Sequence, residues 1–243
     1  MSRKIPTTIK DPELVALRRR EIIDVATHLF LERGFHKTSI RDIARACPFN
    51  LASLYMYVAS KEDILFLVAQ QLIDEKARAM AAVEMLEDDP AESFRTALRS
   101  YCRIVHQYRP HIRLLYRELD VLSPPRREIV MASLSTVTDV FEQIVRKGIE
   151  KGVFAEVEPK LVALNALFLC HLWSMHARAL RSITNNINEF FEMQSRIVLQ
   201  GLLTREPVAA KRAVVAAGRS SPFRGGAAPR RSPDFFALRK RGE

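Results

Sequence analysis

Between Thr38 and Lys61 the chain reads TSIRDIARACPFNLASLYMYVASK. The polar groups in this stretch suit recognition rather than bond making. Thr38, Ser39, Asn50 and Ser53 carry donors or acceptors, Tyr55 and Tyr57 carry phenol hydroxyls, and Arg41, Arg45 and Lys61 carry positive charge. Such groups bind phosphate oxygens, while small or apolar neighbours (Leu51, Ala52, Ser53 and Met56) can approach the edges of bases. Phosphate contacts position a module of this kind and base contacts specify it. Arg41 and Arg45 are open to either role, or to forming a solvated face.

Chemistry of other kinds finds no matching pattern. Cys47, Cys102 and Cys170 lie far apart without CxxC spacing, against a structural zinc site or a disulfide framework, and they read as reduced thiols of a cytosolic protein. His106 and His111, like His171 and His176, are five residues apart, which does not stack two ligands on one helix face. No nucleophile–base pair or glycine-rich phosphate loop is present, and neither a catalytic residue, a metal nor a cofactor is implied. The start, MSRKIPTTIK, lacks the apolar run of a signal peptide. The most apolar stretch, Leu161 to Trp173, is too short and polar to span a bilayer, so no membrane partner is expected and a cytoplasmic location is.

Positioning these groups requires helices. Apolar spacing predicts a first helix from Asp11 to Arg33, stopped by Gly34. Thr38 is the expected cap of a second, with Ile40, Ile43 and Ala44 on its inner face; Pro48 breaks the chain, and Asn50 caps a third running to Tyr57. Two short helices at a tight corner, the second with a free face, form a helix-turn-helix, whose second helix enters the major groove. The competing reading of this stretch is a plain helical corner in a core. Ser60 caps a fourth helix reaching Met85, with Lys61 placed to add its charge to that helix's positive end. Five more follow: from Asp89-Pro90 to Gln107, Pro110 to Leu122, Ser123 to Gly152, Pro159 to Arg181, and Asn185 or Asn186 to Leu203. The fold class is all-α, with about nine helices.

The segment from residue 18 to 66 resembles the DNA-binding domain of the TetR family of bacterial regulators. Ala26, Leu29, Phe30, Gly34, Phe35, Thr38, Ser39, Ile40, Ile43, Ala44, Leu54, Tyr55, Tyr57, Ser60, Lys61 and Glu62 fall in register with that family's pattern. Departures cluster at the turn. Where the family favours Ala-Gly-Val-Ser-x-Gly, this chain has Cys47-Pro48-Phe49-Asn50-Leu51-Ala52, and Val58 replaces a phenylalanine. Proline cannot take the positive φ that glycine tolerates, so the turn must close differently here. The expected domains are a helix-turn-helix domain over 11–59, a ligand and dimerisation domain over 60–204, and a tail over 205–243. The tail carries 10 Lys/Arg against 3 Asp/Glu with scattered Gly and Pro, and reads as basic and disordered.

The resemblance implies a homodimer on a palindromic double-stranded operator, released by a small-molecule effector. The last two helices are the expected dimer surface, with Leu164, Phe168, Phe190, Phe191, Ile197 and Leu202 as contacts; the alternative is that they bury only within one chain. Tyr101, Arg103, Met131, Phe168, Trp173 and His176 are candidate lining for the effector pocket, though any of them also suits plain core. Six arginines lie between Phe94 and Leu122; most are expected to form a solvated face, and one or two turned inward would suit an anionic or amphipathic effector. The competing function is a DNA-binding activator or architectural protein without an effector.

Overall fold

The computed structural model describes residues 5–84 and 89–203. The expected end of the fourth helix at Met85 and the tail over 205–243 lie outside the described residues. The helices are α1 (Pro12–Arg33), α2 (Ile40–Ala46), α3 (Leu51–Tyr55), α4 (Lys61–Glu84), α5 (Pro90–Gln107), α6 (Arg109–Glu118), α7 (Pro124–Ala132), α8 (Ser135–Glu150), α9 (Pro159–Met175), α10 (Ala177–Leu180) and α11 (Ile187–Leu202). A 3-10 turn, Leu119–Val121, follows α6. Among the described residues there is no β-strand, only an isolated bridge between Phe154 and Leu203.

Local chemistry sets most boundaries. The Asp11 carboxylate accepts from the N–H groups of Glu13 and Leu14, and α1 ends at Gly34, whose φ of 91° suits glycine. At α2 the cap is Ser39, not Thr38: Ser39 and Asp42 form a reciprocal capping box. Asn50 caps α3 through the Ser53 N–H. At α4, Asp63 accepts from the N–H groups of Ala59 and Ser60 while its own N–H donates to Ser60 Oγ.

Two expected helices are divided. The one predicted from Ser123 to Gly152 breaks at Ser133–Leu134. There the Ser133 hydroxyl donates to the Val130 carbonyl and the Ser135 hydroxyl to that of Ala132, and these side-chain bonds compete with the helical ladder. The one predicted from Pro159 to Arg181 stops at Met175, and His176 leaves helical geometry before the short α10.

The core is apolar and continuous. Phe30, Ile22, Ile43 and Leu54 fill the space between α1, α2 and α3, and Ile64, Leu65 and Val68 extend it along α4. Phe94, Phe141 and Phe154 cluster in the body. Gly148 is required there, because a Cβ would lie 2.0 Å from the Phe154 ring. Each buried aromatic contributes about 1.5–3 kcal/mol of apolar transfer. α4 packs against α1 at one end and against α5, α7 and α8 along its length, so it joins residues 11–59 to the helices of the body.

Candidate nucleic-acid interface and helical body

α2 and α3 meet at a turn that needs no glycine. Cys47 (φ −86°, ψ 157°) and Asn50 (φ −77°, ψ 170°) are both extended, and Pro48 fits between them. Phe49 packs beside Tyr57, with centroids 6.1 Å apart, and the Arg18 guanidinium lies 5.4 Å over the Phe49 ring. Phe49 thus packs into the corner, while Pro48 stays exposed at the turn. Burial holds the Cys47 thiol up at about 11, so it stays protonated.

The helix pair leaves one polar face open. Ser39, Arg41, Arg45, Asn50, Ala52, Tyr55 and Met56 are exposed, with Tyr55 at 52%. Leu51 and Ser53 are half-buried. Arg45 leans 3.4 Å from Asp42, while no ion pair holds Arg41 among the described residues. Exposed His36 and Lys37 lie just before α2 and add to this face. Sequence reasoning passed over them because they fall outside any helix, although their proximity to Thr38 was a usable signal.

Three expected contact residues are turned elsewhere. Thr38 is buried, and its hydroxyl donates to the Gly34 carbonyl at 2.9 Å, so it holds the corner and leaves the outward role to Ser39. The Tyr57 ring is packed in the core, 6% exposed, leaving Tyr55 as the outward phenol. Lys61 donates to the Phe35 carbonyl at 2.9 Å and lies 4.6 Å from that ring's centroid, which ties α4 to the end of α1. Chain before α1 is bound to the same corner: Thr7 Oγ1 donates to the Met56 carbonyl, and Arg19 donates to the carbonyls of Ile5 and Tyr57.

The expected effector lining is not brought together. Tyr101 is fully buried and Trp173 nearly so, but Arg103, Met131, Phe168 and His176 lie on outward faces of α5, α7 and α9 or just past α9, and are exposed. Trp173 belongs to a corner of its own. Its indole N–H donates to His106 Nδ1, and it lines a cleft of about 160 Å³ with Arg109 and Arg181. Tyr101 belongs to a polar chain through the interior. Tyr101 Oη is 2.7 Å from His171 Nε2, and Tyr116 Oη is 2.7 Å from His171 Nδ1. Burial, with help from the charge of Lys76, lowers His171 to about 3, so it is neutral at pH 7. His111 is lowered to about 4 by burial. No group of three or more His, Cys, Asp or Glu placed to hold a metal occurs among the described residues.

The last two long helices sort their apolar residues in a way the sequence did not show. Phe190, Phe191 and Leu202 are buried within the chain and are unavailable to a second copy, so for these three the within-chain alternative holds. Leu161, Phe168 and Met175, spaced seven apart on α9, are 57%, 47% and 39% exposed. Leu164 of α9 is half-buried; on α11, Met193 and Ile197 are exposed, Ile197 at 64%. Gly201 continues that face with open space over it.

Between α4 and the body lies a clamp. Arg126 of α7 reaches Glu62 at 3.1 Å and Asp63 at 2.5 Å, and the Ser123 N–H donates to Glu62. Burial works to raise the Asp63 carboxyl, but Arg126 and the Ala59 N–H outweigh it and hold it below its ordinary range. Arg117 of α6 donates to the Phe30 carbonyl near the end of α1. No helix of the described residues is long and apolar enough to cross a membrane.

Comparison with known proteins agrees with this geometry. The family described as "Bacterial regulatory proteins, tetR family" matches residues 22–68, and "Tetracyclin repressor-like, C-terminal domain" matches residues 87–175. The HTH-type transcriptional regulator HbdR of Aromatoleum sp. (strain CIB) is 28% identical over 171 residues, 70% of this chain and 75% of HbdR. Among solved structures, the regulator PfmR of Thermus thermophilus superposes with a TM-score of 0.67 at 26% identity, covering 75% of this chain and 99% of that one. AibR, solved in complex with isovaleryl coenzyme A and operator DNA, shares the fold with a TM-score of 0.62 at 20% identity, covering 74% and 97%.

Proposed function

Because the chain belongs to the TetR family of bacterial regulatory proteins, which are DNA-binding transcriptional regulators and not enzymes, we propose that it is an effector-released repressor acting as a homodimer on a palindromic operator. The observation that carries this reading is the pairing of two unsatisfied surfaces on one chain. One is the polar face of α2 and α3, with Ser39, Arg41, Asn50, Ala52 and Tyr55 outward. The other is the apolar face of α9 and α11, with Leu161, Phe168, Met193 and Ile197 outward. A two-fold axis through the second face sets two copies of the first on successive major-groove turns, roughly 34 Å apart. The short apolar stripe at helical spacing, continued by Gly201, suits helix-on-helix packing between copies. A cytoplasmic location goes with this reading.

Support for an effector comes from the body, where polar and titratable groups are buried at some energetic cost, and from AibR, whose structure holds both an acyl thioester and operator DNA. The division into a reading domain (11–59) and a ligand and dimerisation domain (60–204) follows the same logic, with α4 and the Arg126 clamp as the coupling between them. Residues now assigned to the DNA face are Ser39, Arg41, Asn50, Leu51, Ala52, Ser53 and Tyr55, with Lys37 added.

The test is a mobility shift against DNA upstream of the protein's own gene, with size-exclusion chromatography run beside it. Wild type should elute as a dimer and give a specific, two-fold-symmetric footprint. Ile197→Glu should elute as a folded monomer and lose the specific shift, since two charges would be buried against each other. A dimeric Ile197→Glu would remove α11 from the interface. Specific binding that no compound releases would leave a DNA-binding protein without an effector.

A further inference from the structure

Lys76 lies midway along α4, 5% exposed, in the interior of the body. Its ammonium donates to Ser133 Oγ at 3.2 Å, and no carboxylate pairs with it among the described residues. A buried cation without a counter-ion is unusual, because desolvating a charge is unfavourable unless a partner offsets it. The surroundings do not supply a negative charge. His171 is neutral between two tyrosines, and the Ser133 hydroxyl already donates to the Val130 carbonyl.

The element over Lys76 is weakly held. α7 has no fully buried residue, and polar contacts tie it to α4 near both ends: Arg126 to Glu62 and Asp63, and Ser133, just past its last turn, to Lys76. The apolar share of α7 in the core is the partly buried Ile129 and Val130, so moving α7 exposes less apolar surface than moving a helix with fully buried side chains. Lys76 also lies 13 residues along α4 from Asp63, roughly 20 Å at the helical rise.

We propose that Lys76 is the counter-ion of a carboxylate-bearing effector, which reaches it past α7 and replaces the Ser133 hydroxyl. A single ammonium among neutral hydrogen-bonding groups matches a monoanion; a phosphate dianion would leave charge unbalanced. Losing the Ser133 contact frees one end of α7, whose other end grips the first turn of α4 beside the DNA-reading helices. This assignment rests on the effector-released reading above and names the chemistry of its ligand.

The experiment uses the full chain labelled with [13Cε]lysine, the Lys76 signal being assigned from the Lys76→Met spectrum. Acetate, hexanoate, decanoate, benzoate and phenylacetate are each titrated beside the matching primary amide, and thermal stability is followed in parallel. At least one carboxylate should move the Lys76 signal and raise the melting temperature, while its amide does neither. Lys76→Met should weaken that carboxylate by about tenfold or more. Ser133→Ala, which removes the competing partner, should tighten it by about threefold, an effect that a merely structural lysine would not give. No carboxylate moving Lys76, amides acting equally, or Lys76→Met binding unchanged would each overturn the assignment. Release from upstream DNA separates the two readings. A carboxylate that binds at Lys76 without releasing DNA leaves the site and removes the effector role. Release by neutral compounds alone does the reverse.

Discussion

The interior of the DNA-reading corner and the interior of the body are built on different terms. Between α1, α2 and α3 the buried side chains include Ile22, Phe30, Ile43, Leu54 and Tyr57; the buried polar ones are the short hydroxyls of Thr27 and Thr38, and the titratable groups of α2 and α3 face outward. In the body, Lys76, His111, His171 and Tyr101 are buried in the same interior that holds apolar Phe94 and Phe141. The first arrangement maximises rigidity, which suits a surface that must hold its shape against a duplex. The second stores unfavourable desolvation that a bound molecule can relieve, which suits an element with two states.

Substitutions at the two cores should move stability in opposite directions, and these are the largest effects expected. Ile43→Ala leaves a cavity beneath α2 and should cost about 2–4 kcal/mol, with loss of specific DNA binding. Lys76→Met removes a buried unpaired charge at similar volume and should gain about 1–3 kcal/mol. Burial lowers Lys76 to about 8 from 10.5, so the folded protein binds fewer protons than the unfolded chain between those values. The penalty is full below about pH 8 and fades as pH rises towards 10.5; the advantage of Lys76→Met should shrink over that range. Denaturant melts at pH 7 and pH 10 measure both quantities. A Lys76→Met protein less stable than wild type at pH 7 would mean the two interiors do not differ in this way.

Acid offers a second way to separate the regions. His171 at about 3 and His111 at about 4 lie below the ordinary value of 6.5 because burial disfavours the charged ring. The unfolded chain therefore takes up protons that the folded body refuses, and stability should fall as pH drops below about 6.5. By pH 5 each histidine should have cost about 2 kcal/mol relative to pH 8. His171→Gln should flatten that slope by about half, and Ile43→Val, in the reading corner, should leave it unchanged.

What the sequence made legible follows the same divide. Around α1 to α3 the determinants are short-range: Asp11, Gly34, Asn50 and the Ile40–Ile43–Ala44 face act within a turn or two of themselves. Even there, Thr38 and Ser39 are adjacent hydroxyls, and only the fold shows which one caps and which turns inward. In the body the deciding contacts are distant. The break at Ser133 carries no Gly or Pro, and one of its partners is Lys76, 57 positions earlier. α9 and α11 are apolar on more than one face, so the pattern could not tell Phe190 and Phe191, packed inside, from Met193 and Ile197, left outside. The expected effector lining scattered for the same reason. Residue type placed Tyr101 and Arg103 on the same helix, but Tyr101 faces the core and Arg103 the surface, a choice of face that type alone does not make.

The smallest effect on stability is expected at the reading face itself, and it tests whether that face is used as its exposure suggests. Arg41 is exposed and forms no ion pair among the described residues, so Arg41→Ala should change stability by less than about 0.5 kcal/mol. On DNA the loss should be of another kind. If the guanidinium meets a phosphate, affinity falls about equally for specific and scrambled fragments, and the slope of log K against log salt becomes shallower by about 1 for each guanidinium lost. If it reads a base edge, the specific fragment loses about 1–3 kcal/mol and the scrambled one almost nothing. Each dimer presents the residue twice, so the phosphate outcome doubles to a slope change of about 2, large enough to resolve in a titration between low and moderate salt. Tyr55→Phe on the same face should behave as the uncharged control: it removes one hydroxyl contact per copy and leaves the salt slope where it was.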